Sequence, residues 1–246
     1  MIRIIGNHVS PYARKVFLAL DHKEVDYEID PIVPFFGGDD FTRLNPLRRI
    51  PVLIDGDLVI PDSTVICEYL DDRFPERPLY PADPAQRARA RWLEEFADSR
   101  LGDVMIWKLF FQRNVKPRVW KQETDEALVA QVVAQDLPEV MDWLEPQAPA
   151  AGYMFDDLSM TDLTFASFFR NAALAGWSLD AERWPRVAAW IDHVQATPLF
   201  ARSVMFEQIM LTTPGREVAA ALTAGGLKVA ATSVRGDAPR RGPMSV

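Results

Sequence analysis

The chain opens on Ile2-Arg3-Ile4-Ile5, a β-branched run ending at Gly6, which predicts a short buried strand. Apolar positions at Val16-Phe17-Leu18-Ala19-Leu20 predict a helix from Pro11 to about His22, and residues 25–29 predict a second strand. A strand–helix–strand unit favours a parallel pair. Residues 31–40 carry Pro34, Phe35, Phe36, Gly37 and Gly38 and predict an irregular loop, with a helical turn at 41–44. Ile50-Pro51-Val52-Leu53-Ile54 and Leu58-Val59-Ile60 flank Asp55-Gly56, a hairpin signal. Asp62-Ser63 then starts a helix with the apolar stripe Val65, Ile66, Tyr69 and Leu70. Residues 1–76 therefore read β-α-β-α-β-β-α. A proline-rich linker follows at 77–85.

The remaining periodicity is helical. A long helix is expected over 86–114, then one over 124–144 that Pro138 kinks. Ser159-Met160-Thr161-Asp162 is a capping box ahead of an apolar run, and helices follow at 184–194 and 199–211. These make an all-α domain over 86–211. From 212 to 246 the composition turns to Ala, Gly, Thr, Arg and Pro, which predicts a poorly ordered tail with a short helix at 216–222.

One stretch concentrates the candidate chemistry. Ser10 falls where a helix N-cap is wanted, and Pro11 at the first helical position, where its missing N–H is no loss. A helix start presents unpaired amides and the positive end of the dipole, which suits an anion such as a thiolate. An ordinary cap is the plainer reading of the same serine. The acidic balance, with a net charge of −8, argues against nucleic acid as a general partner. A single cysteine, Cys67, sits in an apolar helical stripe and reads as buried; it allows no intrachain disulfide and no dithiol chemistry. The opening strand leaves no signal-peptide pattern, and no apolar run approaches a membrane span, so a cytoplasmic protein is expected.

Ser10-Pro11-x-x-Arg14, Asn45-Pro46-Leu47-x-x-Ile50-Pro51-Val52-Leu53, Asp62-Ser63 with Ile66-x-Glu68-Tyr69-Leu70, and Ser159-x-x-Asp162-Leu163-Thr164 follow one another in order. Together they resemble the cytosolic glutathione S-transferases over roughly residues 1–210, most of all bacterial serine-type members. The resemblance implies a thioredoxin-like glutathione-binding domain followed by an all-helical domain. It also implies glutathione as co-substrate, no metal, a homodimer, and a detoxifying transferase for a small hydrophobic electrophile.

Residue by residue, the resemblance implies that Ser10 donates a hydrogen bond to the glutathione sulfur, with Tyr12 as rival donor. Pro51 would be a cis-proline whose preceding residue, Ile50, pairs its backbone with the cysteinyl part of the tripeptide; a strand-opening trans proline is the alternative. Ser63 and Asp62 would take the γ-glutamyl end, although Asp62 stands where the family has a longer residue and both also suit a helix cap. Arg49, or its neighbour Arg48, would meet the glycyl carboxylate. Tyr12, Phe35, Phe36, Trp107 and Phe111 would line the pocket for the electrophile, or serve as core and dimer packing. His8 reads as a loop residue, and Arg14 as structural or dimer-facing as readily as ligand-facing. A second functional class stays open, a non-catalytic binding or scaffold protein that keeps the fold.

Overall fold

In the computed structural model, residues 1–243 are described, and they divide into two compact units. One holds residues 1–77 together with the chain from Pro198 onward; the other is Pro78–Thr197. The chain passes from the first unit to the second at Arg77–Pro78, and its last long helix, Pro198–Thr212, belongs with the first unit and not with the helical one.

The first unit is built on a mixed five-stranded sheet in the order β4-β3-β1-β2-β5. β1 (Ile2–Ile5) and β2 (Tyr27–Asp30) are parallel, joined through α1 (Pro11–His22). β3 (Val52–Asp55) runs antiparallel to β1, and β4 (Leu58–Ile60) completes the hairpin. α2 (Asp39–Leu44) leads to the hairpin and α3 (Ser63–Arg73) follows it. α1 is apolar on almost every side, with residues 16–20 all fully buried. Its C-terminal end is tied down by Lys23, whose ammonium donates to Asp71 at 2.7 Å and to the carbonyls of Phe74 and Arg77 at 2.9 and 2.8 Å. All three protons of that buried amine are thereby used.

α10 (Pro198–Thr212) docks on this unit through polar groups that sequence reading leaves unpaired. Arg14 and Glu207 are both wholly buried and form an ion pair at 2.5 Å. Buried charge of this kind is tolerated only when matched, so Arg14 is structural here. His8 is a loop residue as expected, but a fully buried one. It stacks on Phe17 at 4.2 Å, and its Nδ1 meets Ser203 Oγ at 3.0 Å.

The segment from 212 onward, expected to be poorly ordered, is instead built into the sheet. α11 (Val218–Ala224) stands where a short helix was expected, and β5 (Lys228–Val229) adds a strand parallel to β2. Residues 244–246, the end of that expected tail, lie outside the described residues.

The second unit is helical throughout. α4 (Pro84–Phe96) continues as a π-type helix over Ala97–Val115, and α5 (Lys116–Val119) ends the run. The helix expected to kink at Pro138 consists of α6 (Glu126–Gln131), a π-type turn at Val132–Asp136, and α7 (Leu137–Leu144). The wide turn falls just ahead of the proline, where the missing N–H and the ring would otherwise clash with an α ladder. α8 (Met160–Leu174) is almost entirely buried, and α9 (Pro185–Gln195) packs on it, with Trp190 and Phe165 ring centroids 5.0 Å apart.

The capping box at the head of α8 is a network centred on Asp162. Its Oδ2 accepts the Ser159 N–H at 2.8 Å and the Ser159 hydroxyl at 2.6 Å; its Oδ1 accepts the Met154 N–H at 2.8 Å and the Trp190 indole N–H at 2.6 Å. Burial pushes the carboxyl above its usual range, against the hydrogen bonds that favour the charged form. Replacing Asp162 by Ala orphans three buried donors and the half-buried Met154 amide at once, so a loss of about 3–5 kcal/mol is expected. Chemical denaturation of Asp162→Ala against the parent chain measures it; a midpoint shift worth under about 1 kcal/mol contradicts the network's role.

Candidate active site

Ser10, Ile50, Pro51, Asp62 and Ser63 all belong to the first unit, at the segments that join its strands to its helices. Ser10 is the N-cap of α1, extended at φ −74° and ψ 125°, and its Oγ accepts the Ala13 N–H at 3.3 Å. That bond uses a lone pair and leaves the hydroxyl proton for another partner. The loop that delivers Ser10 is shaped by buried Asn7, whose Oδ1 accepts the amides of Val9 and Ser10 at 3.0 and 3.3 Å. The same side chain donates to the Ile32 carbonyl at 2.6 Å, fixing the loop to the exit of β2.

The Ile50–Pro51 peptide bond is cis. Gly6 neighbours both this segment and Ala13 in the first turn of α1. A Cβ at Gly6 would come within 3.1 Å of the Ala13 Cβ, 3.7 Å of Pro51 Cα and 3.8 Å of Ile50 Cβ. Ile50 is buried, and the β3 ladder begins only at Val52, so its main chain stands outside the ladder.

Asn45 accounts for the Asn-Pro-Leu motif. It is buried, its Oδ1 accepts the Leu47 N–H at 2.9 Å, and its amide donates to the carbonyls of Arg49 at 2.8 Å and Pro61 at 3.3 Å. One side chain thus holds both the approach to the cis-proline and the approach to Asp62-Ser63. Asp62 caps α3, with Oδ1 accepting the amides of Thr64 and Val65, each at 3.0 Å. Ser63 is the first residue of α3 and is buried. Lys15 crosses from α1 to α3, donating to Thr64 Oγ1 at 3.1 Å.

The arginines divide. Arg48 takes a left-handed backbone (φ 55°), and its guanidinium donates to Gly37 O at 2.8 Å and to Thr42 Oγ1. It is therefore bound to its own loop, and burial lowers its pKa from the usual value. Arg49 is exposed. Tyr12, in the first turn of α1, is half-buried, as are Phe35 and Phe36, which lie on a 3-10 turn (Pro34–Phe36). In the second unit, half-buried Trp107 neighbours buried Phe111, with ring centroids 6.2 Å apart. Cys67 is buried, as its apolar stripe implies.

Asn7, Asn45 and Gly6 were missed as site residues in the sequence. The signal for Asn45 was present in its motif; that for Asn7 and Gly6 is only their place between a strand and a helix cap.

The comparisons with known proteins accord with this geometry. Residues 4–78 match the family model for the glutathione S-transferase N-terminal domain. The chain is 45% identical to glutathione S-transferase Z2 of Arabidopsis thaliana over 204 residues, covering 81% of this chain and 88% of that protein. A stringent starvation protein A homolog of Haemophilus ducreyi is also 45% identical, but over 80 residues, 32% of this chain and 37% of the relative's length. Among solved structures, a glutathione S-transferase of Rhodospirillum rubrum F11 superposes with a TM-score of 0.74 at 27% identity, over 82% of this chain and 91% of that one. A Methylobacterium radiotolerans glutathione S-transferase in complex with glutathione sulfonate superposes at 0.68 and 26% identity, over 82% and 94%. The chain belongs to the glutathione S-transferase family. It is an enzyme of that class, with a thioredoxin-like N-terminal domain and a helical C-terminal part.

His8, two residues before Ser10, ties this loop to pH. Burial holds its imidazole well below the usual histidine range, and the neighbouring charges of Arg14 and Arg202 add to the shift. The unfolded chain takes up a proton below about pH 6.5 while the folded chain does not, so His8 makes stability fall as pH drops below that value. The expected slope from this residue is up to about 1.4 kcal/mol per pH unit. Denaturation midpoints at pH 7 and 5.5 for the parent and His8→Phe measure it. The variant should lose less stability on acidification, and equal losses would contradict a buried neutral imidazole.

Proposed function

We propose that this enzyme binds glutathione on the first unit, lowers the pKa of its thiol at Ser10, and transfers the sulfur onto a small hydrophobic electrophile. The observation that supports the reading is Gly6, which neighbours both Ala13, in the first turn of the helix that Ser10 caps, and the cis Ile50–Pro51 segment. A thiolate held there meets a hydroxyl donor and the positive end of a helix whose first turn is short of acceptors. Both favour the charged sulfur over the neutral thiol. Glutathione supplies the nucleophile, and Ser10 serves as a donor and forms no covalent bond.

The remaining contacts follow from the chemistry of the tripeptide. Ile50 offers its main chain to the cysteinyl backbone. Ser63, at the start of α3, suits the γ-glutamyl carboxylate, because a hydroxyl and the first-turn amides converge there. Asp62 commits Oδ1 to the cap, so Oδ2 is the oxygen that would face the ammonium. Arg49, exposed and two residues before the cis-proline, is the cation proposed for the glycyl carboxylate. Phe35 and Phe36 give a flat apolar surface suited to an aromatic or halogenated acceptor. A second copy of the chain is the protein partner this reading carries.

Ser10→Ala should lower kcat/KM for glutathione and a chloronitroarene by about 10- to 100-fold at pH 6.5, the worth of one hydrogen bond to a charged group. The deficit should shrink toward pH 9, where the thiol ionises without help. Full turnover by the variant at pH 6.5 would sink the assignment of Ser10.

A further inference from the structure

The C-terminal segment makes contacts that nothing in the catalytic reading uses. Residues 228–240 follow the outer edge of β2 and then cross the loop that carries Phe35 and Phe36. Beside β5, the Ala230 N–H donates to Ile29 O at 2.9 Å. Buried Asp30, at the end of β2, accepts the Ser233 hydroxyl at 2.7 Å and the Val234 N–H at 2.9 Å, while Arg3 pairs with it at 3.0 Å. Arg3 also donates to Thr232 O at 2.6 Å. Val234 packs on the cluster of Ile5, Ile32, Phe41, Ile50 and Val52.

Past Val234 the chain pairs with the loop itself. The Gly38 N–H donates to Val234 O at 2.7 Å, the Gly236 N–H to Phe36 O at 2.6 Å and the Arg240 N–H to Phe35 O at 2.7 Å. The Arg240 guanidinium meets Asp39 at 2.5 Å, and that of Arg235 lies 5.9 Å from the Phe36 ring centroid. Both strands of this contact carry glycine where the backbones touch: a Cβ on Gly236 would meet Gly38 Cα at 3.1 Å.

We infer that residues 228–240 form a positioning strap for the glutathione site, in which Asp30 and Val234 fix the Phe35–Phe36 loop and brace the residue before the cis-proline. The inference rests on the functional reading above. Within the loop, the 3-10 turn has two main-chain bonds of its own, from the Phe36 N–H to Val33 O at 2.9 Å and from the Gly37 N–H to Pro34 O at 3.1 Å, and two consecutive glycines follow the aromatics. The strap adds three main-chain bonds and so places both rings before substrate arrives. Ordering them on binding instead would weaken substrate affinity, by about tenfold for two large side chains. Val234 reaches the other half of the site, because Ile50 belongs to the cluster it covers.

The test compares the parent chain with Val234→Pro, which loses the N–H bonded to Asp30, and with the milder Val234→Ala and the conservative Val234→Ile. The expected result is a rise of about tenfold in KM for glutathione and for the chloronitroarene in Val234→Pro, with kcat changed by less than about twofold. Val234→Ala should lie between, and Val234→Ile should match the parent. Amides of Gly37 and Gly38 should exchange faster in the proline variant while those of β1 and α1 keep their protection. Unchanged KM values in the proline and alanine variants, with only a lower melting temperature, would overturn the strap as a positioning device. Should the intact chain neither bind nor turn over glutathione, the functional reading falls by itself. The strap is then judged on amide exchange at Gly37 and Gly38, and equal rates in parent and variants overturn it.

Discussion

The first turn of α1 and the cis Ile50–Pro51 segment both neighbour Gly6, and the candidate thiol site is arranged around that close approach. A methyl group at residue 6 would press on the Ala13 side chain, which would have to give by a few tenths of an ångström. Close packing leaves little room for such a shift, because neighbouring side chains already fill the interior. Ser10 and Ile50 are thus set by the backbone geometry of a strand end.

Around that contact the loops are held by buried polar side chains that bond main chain. Asn7 fixes the Ser10 loop to Ile32, Asn45 clamps the carbonyls of Arg49 and Pro61, and Asp30 gathers Ser233, Val234 and Arg3. Each replaces a water interaction with a fixed internal one, and each would be costly to leave half-made. Such groups give irregular segments a single conformation that apolar packing alone would not specify. The three segments that approach the candidate site are each held this way.

Much of this was legible in the residues. Ser10-Pro11 announced a cap because side-chain and φ preferences act locally, and Ser159 with Asp162 did the same for α8. The hairpin and the helix after it followed from alternation and from Asp-Gly and Asp-Ser chemistry. The C-terminal segment was not legible. Its strand is two residues long, its composition is that of a linker, and its anchors lie some two hundred residues away in Arg3, Asp30 and Phe36. The burial of Arg14 and His8 was illegible for the same reason, since the partners that allow it, Glu207 and Ser203, come from α10. The π-type turn at Val132–Asp136 left no trace in hydrophobic periodicity because it departs from 3.6 residues only locally.

The glutathione thiol itself reports on whether a helix cap and one hydroxyl hold a charged sulfur at this site. Its ionisation can be followed by thiolate ultraviolet absorbance as the saturated complex is titrated, in the parent chain and in Ser10→Ala. A bound thiol titrating about 1–2 pH units below its free value in the parent, and moving most of the way back in the variant, is the expected result. A bound thiol that titrates like free glutathione in the parent chain would contradict it.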